Sequence, residues 1–175
     1  MNQTLRFPAE WEAQSGVLIA WPTADTDWAD RLGQVEETYI ALVAAITRFQ
    51  PVLICVADDD VETYAEMRLR SNRIDMDKVH FTTAAYDDTW LRDSGPITLR
   101  RADGGFQLLD FRFTGWGGKF DATLDDQLVG VLDQAGVFND APVRSIPFAL
   151  EGGGIETDGE GTLLTTWKLS LIHIS

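Results

Sequence analysis

The chain has 175 residues, with 14 Lys and Arg against 28 Asp and Glu, a net charge of −14, a hydrophobic fraction of 45% and one cysteine. That length suits one domain, or one and a fraction, and the composition excludes a disordered chain. The charge argues against nucleic acid as a partner, the lack of any apolar run near the roughly 18 residues of a spanning helix argues against a membrane, and a lone cysteine excludes an internal disulfide or a cysteine-based zinc cluster. An acidic surface does suit a cationic small molecule, because it raises the local concentration of cations. The first residues, Met1 to Phe7, carry no basic segment followed by an apolar one, and this predicts a cytoplasmic chain.

Residues 16–21 (GVLIAW) form an apolar run closed by Pro22, the signature of a buried strand. Residues 30–49 place Leu32, Val35, Tyr39, Leu42, Val43 and Ile46 at helical spacing, predicting one inward face. Pro51 ends that helix, and 52–57 (VLICVA) is a second buried strand. Asp58, Asp59 and Asp60 are N-cap candidates for a helix through about residue 71, and 79–83 reads as a third strand. Residues 97–101 and 106–113 read as two strands joined by a turn at 103–105. Leu124, Leu128, Val131 and Leu132 share a helical face that Gly136 would terminate. Short strands are predicted near 143–147, 154–157 and 162–166, with a turn at Asp158 and Gly159. Strands alternating with helices give an α/β class.

Polar loops interrupt this pattern at three places. Residues 87–96 (DDTWLRDSGP) follow a predicted strand, where α/β folds place sites. Carboxylates such as Asp93 beside the Trp90 ring suit a planar cation, through bidentate hydrogen bonds and cation–π attraction; an ordinary polar turn with an Arg92 ion pair fits the same residues. Residues 113–120 (FTGWGGKF) set Trp116 among glycines, which suits close backbone approach or a tight turn. A phosphate loop would need Ser or Thr after Lys119, and Phe120 stands there. Residues 151–154 (EGGG) present Glu151 at a glycine bend, either as a positioned carboxylate or as a solvated one. Cys55 lies in a wholly apolar run and reads as a small hydrophobe rather than a nucleophile. His80 lies within a strand, His173 in the terminal tail, and these groups make no metal site.

Taken together, PAEW at 8–11, GVLIAWP at 16–22, DDTWLRDSGP at 87–96, FTGWGGKF at 113–120, EGGG at 151–154 and DGEGTLLTT at 158–166 resemble, in order, the bacterial peptidylarginine deiminase-type family of the guanidine-modifying superfamily, and its agmatine deiminases in particular. The resemblance covers about residues 7–166. It implies a five-fold pseudosymmetric α/β propeller of ββαβ-type modules around a central site. It also implies cofactor- and metal-free hydrolysis of a guanidinium to a ureido group with release of ammonia. For agmatine the product is N-carbamoylputrescine, a reaction of polyamine metabolism. By resemblance, Asp93 matches a guanidinium-binding carboxylate, Trp90 a pocket aromatic and Glu151 the carboxylate that orients substrate or catalytic groups; Asp93 and Glu151 are the catalytic candidates, and Trp116 joins them in binding substrate.

The chain also departs from the family. The family's His-x-Asp segment and its nucleophilic Cys lie downstream of the TLLTT strand, and neither is present; the chain supplies no nucleophile. After Thr166 it reads WKLSLIHIS. The expectation is an N-terminal portion of a deiminase propeller over 1–166, truncated, with a foreign or frame-shifted tail over 167–175. Such a piece exposes strand edges and apolar faces, so self-association is expected and catalysis is not. Two alternatives stand beside an agmatine deiminase: a non-catalytic guanidinium-binding module or degenerate fragment, and a deiminase of peptidyl or free arginine.

Overall fold

A computed structural model describes residues 5–166; the predicted tail over 167–175 lies outside the described residues. In chain order the elements are β1 (Leu5–Arg6), β2 (Val17–Ala20), α1 (Leu32–Thr47), β3 (Val52–Val56), α2 (Asp59–Ser71), β4 (Val79–Thr83), α3 (Leu91–Ser94), β5 (Ile97–Arg101), β6 (Phe106–Arg112), α4 (Gly115–Gly118), α5 (Thr123–Gln134), β7 (Val143–Ala149), β8 (Ile155–Thr157) and β9 (Leu163–Thr165). The chain divides into two compact units, residues 13–91 and residues 5–12 with 92–166.

The 13–91 unit is a βαβαβ arrangement. Its parallel sheet has the order β2-β3-β4, with Val17 opposite Val52 and Val52 opposite Val79. The central strand β3 is sealed: Val52, Ile54, Cys55 and Val56 have no exposed surface. Ile40 and Val43 of α1 and Ala65 and Leu69 of α2 pack with Val52, Ile54 and Val56 in one cluster. Both helices therefore cover the same sheet face, as right-handed crossovers between sequential strands require. The inward face of α1 matches the periodicity at Val43, Tyr39 and Ile46, which belong to or pack against that cluster, and departs from it at Leu42. Glu36, Ile40, Val43 and Thr47 are buried, whereas Leu42 is turned outward. Glu36 tolerates burial because its carboxylate accepts from Arg68 and, at 3.0 Å, from the Tyr64 hydroxyl. Asp58 caps α2 by accepting from the Val61 amide at 2.8 Å.

The other unit holds a four-stranded sheet of order β1-β5-β6-β7 and a β8-β9 hairpin. β1–β5 and β5–β6 pair antiparallel, while β6 and β7 pair parallel. A parallel pair needs a crossover, and α5 supplies it; β5-β6-α5-β7 thus runs in ββαβ order. α5 buries Asp125, Leu128, Val129 and Leu132; Leu124 and Val131, expected on that face, are largely exposed. Gly136 takes φ +75° after α5, and the Val137 amide reaches back to the Leu132 carbonyl at 3.1 Å, closing the helix as expected. The fold is mixed α/β, and its sheets do not close into a ring among the described residues.

Candidate functional site

In the unit that contains residues 92–166, three motifs meet at one carboxylate. Asp93 sits in the short helix α3. Its Oδ2 accepts from the Trp116 indole Nε1 at 3.1 Å, and its Oδ1 accepts from the Gly153 amide at 2.8 Å. DDTWLRDSGP, FTGWGGKF and EGGG are thereby joined at Asp93. Each carboxylate oxygen offers two acceptor sites. One per oxygen is held by protein, which fixes the orientation of the group and leaves the other side for further donors.

The glycines are explained by close approach. A Cβ on Gly152 would stand 2.3 Å from the Arg92 carbonyl oxygen, and one on Gly153 would stand 2.3 Å from Asp93 Oδ1. No side chain can occupy either position without displacing backbone or the carboxylate. The run forms a 3-10 turn, Gly152–Gly154, in which the Gly154 amide bonds the Glu151 carbonyl at 2.9 Å. Glu151 is half-buried and extended, two residues before the amide that Asp93 accepts.

The GWGG run is strained where Trp116 sits. Gly115, Trp116, Gly117 and Gly118 all have positive φ, and Trp116 lies at φ +57°, ψ +49°. That left-handed conformation disfavours an L side chain by about 1–2 kcal/mol. Trp116 is held there by Asp93 and by edge-on packing between Phe113 and Phe120, at 5.2 and 5.7 Å between ring centres. The Gly117 amide also bonds the Thr114 hydroxyl at 3.1 Å. Trp116 as a residue stays 37% exposed.

The 13–91 unit holds the rest of the first motif. Residues 23–28 follow β2 and residues 84–90 follow β4, both at carboxyl ends of parallel strands, where open α/β sheets bind ligands. The two loops are pinned together. Asp88 accepts from the Asp27 amide at 3.1 Å, and Thr89 Oγ1 accepts from the Trp28 indole at 2.8 Å. Trp90 stands against Trp28 with ring centres 5.3 Å apart, and Arg31 lies 5.3 Å from the Trp28 ring. Burial raises the pKa of the neighbouring Tyr39 phenol. Trp28 and Arg31 were not among the sequence candidates, although Trp28 lies in the loop after the GVLIAW strand and the same strand-end argument reaches it.

Cys55 is fully buried, and its thiol donates to the Ala84 carbonyl at 3.6 Å. His80 is exposed on β4. Among the described residues, no group of three or more His, Cys, Asp or Glu is placed to hold a metal ion, and no helix is long and apolar enough to cross a membrane.

The model of the Porphyromonas-type peptidyl-arginine deiminase family matches residues 6–173. The chain belongs to this family. It is 33% identical over 165 residues to the agmatine deiminase of Stutzerimonas stutzeri, covering 91% of this chain and 43% of that protein. It is 35% identical over 167 residues to the agmatine deiminase of Ectopseudomonas mendocina, with the same two coverages. Among solved structures, the C. jejuni agmatine deiminase with substrate bound superposes with a TM-score of 0.81 at 28% identity, over 93% of this chain and 46% of that one. The chain therefore spans less than half the length of these agmatine deiminases.

Proposed function

We propose that this chain carries the guanidinium-binding part of an agmatine deiminase-type hydrolase site. Asp93 and Glu151 are its carboxylates and Trp116 its aromatic wall. The observation that carries this reading is the double anchoring of Asp93 by the Trp116 indole and the Gly153 amide. A carboxylate fixed by neutral donors keeps its direction, as in-plane recognition of a guanidinium requires. The names of the relatives support agmatine as the substrate.

The reaction adds water across the guanidinium carbon: a C–N bond breaks, ammonia leaves, and the oxygen stays as the ureido carbonyl. Binding at two carboxylates localises the guanidinium charge and makes its carbon a better electrophile. Flat indole faces exclude water and add cation–π attraction. Attack needs a thiolate. The one cysteine of these residues is sealed in β3 with its thiol donating to a backbone carbonyl, so the chain by itself binds and does not turn over. On this reading the βαβαβ unit and the β5-β6-α5-β7 module belong to a five-fold pseudosymmetric propeller, and the setting is the cytoplasm, where a lone thiol stays reduced.

Calorimetric titration tests this. Agmatine is expected to bind more tightly than putrescine, which has the same amine but no guanidinium. Asp93→Asn is expected to weaken agmatine roughly tenfold or more, since it removes a charge-assisted contact. Equal affinity for both ligands, or an unaffected D93N variant, would overturn the reading. Arginine in the same titration separates an agmatine site from one for free arginine.

A further inference from the structure

A second concave feature lies wholly within the 13–91 unit, where α1 and α2 end. It is a cleft of about 550 Å³ lined by Thr47, Arg48, Asn72, Arg73, Asp75 and Lys78, among others. Arg48, Arg73 and Lys78 line it beside one carboxylate, Asp75, in a chain with twice as many acids as bases. Asp75 is already engaged, accepting from the Asp77 amide at 3.2 Å. Lys78 donates to the Thr47 carbonyl at 2.8 Å, which leaves two of its three protons. Elsewhere Arg6, Arg68, Arg70, Arg92 and Arg101 are paired with carboxylates. Among the described residues, neither Arg48 nor Arg73 is in an ion pair; Arg48 lies 5.6 Å from the Phe49 ring.

Arg73 adds an independent observation. It occupies the left-handed position after α2, at φ +58°, where the Ile74 amide reaches the Leu69 carbonyl at 3.2 Å. That position is normally glycine, or asparagine, because a Cβ is disfavoured there. Within this unit Arg73 is the one positive-φ residue among those described, and it lines the cleft. The helix C-termini explain why cations are tolerated nearby. They do not explain why a strained position carries the long planar fork suited to oxyanions.

We propose that this cleft binds a small, multiply charged oxyanion of the phosphate class. Arg48 and Arg73 grip its oxygens through bidentate hydrogen bonds and Lys78 adds a third cation. The cleft is large enough for a small ligand. Because the whole chain is acidic, the attraction is local and falls with salt.

The test is an amide NMR titration of the full chain with pyrophosphate, then inorganic phosphate, against sodium chloride at matched ionic strength. Shifts are expected at residues 47–49, 72–75 and 78 with the phosphates and not with chloride. Arg73→Gly is the decisive variant. It should raise the melting temperature, because it relieves the positive φ, and weaken pyrophosphate roughly tenfold or more. A merely structural arginine would show the first effect without the second, and that result overturns the proposal, as does the absence of localised shifts. Arg48→Gln gives an independent second reading, with unchanged melting temperature and a similar loss of binding; unaltered pyrophosphate binding in it likewise overturns the proposal.

Discussion

The two units spend their sequence differently. Residues 13–91 invest in packing: Trp21, Val43, Val52, Ile54, Val56 and Leu69 are sealed from solvent, and Arg73 is the unit's one positive-φ residue among those described. The unit holding residues 92–166 invests in backbone. Its fully sealed large side chains, Leu128, Val129 and Leu132, all sit on α5. Its loops hold positive φ at Gly104, at 115–118, at Gly136, Asn139, Gly159 and Gly161. A packed sheet fixes elements with side chains, whereas a carboxylate held by an indole and a backbone amide is fixed by how closely chain segments can approach. Glycine and positive φ therefore concentrate in the unit that holds Asp93, and burial concentrates in the unit of the parallel sheet.

The sharpest break of that contrast is a deletion in the packed unit. Leu69→Ala, on a helix face with no exposed surface, should destabilise by about 2–5 kcal/mol in urea unfolding. Leu42→Ala, on the outward face of α1 at 41% exposure, should change stability by no more than about 0.5 kcal/mol. The glycine unit should fail by backbone instead. Gly115→Ala places a Cβ 2.3 Å from the Phe120 carbonyl oxygen at φ +59°, and a clash added to the left-handed penalty should amount to roughly 2–4 kcal/mol. Gly117→Ala, at φ +80° with open space around its Cβ, should incur the penalty alone, about 1–2 kcal/mol. Equal losses at 115 and 117 would remove close approach as the reason for the glycines.

The same contrast sets what could be read ahead of the structure. GVLIAW and VLICVA announce β2 and β3 because both are apolar runs bounded by proline, and Asp58 and Gly136 mark helix ends through local chemistry. The inward face of α1 was legible at Val43, Tyr39 and Ile46 but not at Glu36, which counts as polar until Arg68, 32 residues away, is seen to hold it. Strand β1 is two residues long and exists only by pairing with β5. Residue types marked the loops of Asp93, Glu151, Trp90 and Trp116, and the family resemblance gave those residues their roles. That Asp93 is gripped by Trp116, 23 residues on, and by Gly153, 60 residues on, is not encoded in any local pattern. Nor is the reason for Gly152, which is the carbonyl of Arg92.

Smaller effects sharpen the comparison at its edges. Gly33 in α1 and Gly130 in α5 have nothing within 4 Å of an added Cβ and need no special backbone. Alanine at either should stabilise by roughly 0.5–1 kcal/mol, in contrast to 115 and 117. An unchanged or lowered melting temperature at both would show that glycine in these helices answers to something other than conformation.

The smallest effect is electrostatic and confined to β1. The Arg6 guanidinium, followed by the Ala9 amide, lowers the Glu12 carboxyl from its ordinary 4.5 to about 2. Arg6 also donates to the Gly159 carbonyl at 3.0 Å, so the pair ties β1 to the loop between β8 and β9. A carboxyl whose folded pKa lies below its unfolded one contributes stability that is whole above about pH 4.5 and fades as pH falls through about 2. Both groups face solvent, so the contribution is modest and screened by salt. Amide exchange at Leu5 and Arg6 should accelerate across that acid window in low salt while the sheet of residues 13–91 keeps its protection. Glu12→Gln should flatten the response, having no proton to gain. A variant whose β1 still loosens on acidification as much as the parent would move the acid-sensitive tie away from Glu12.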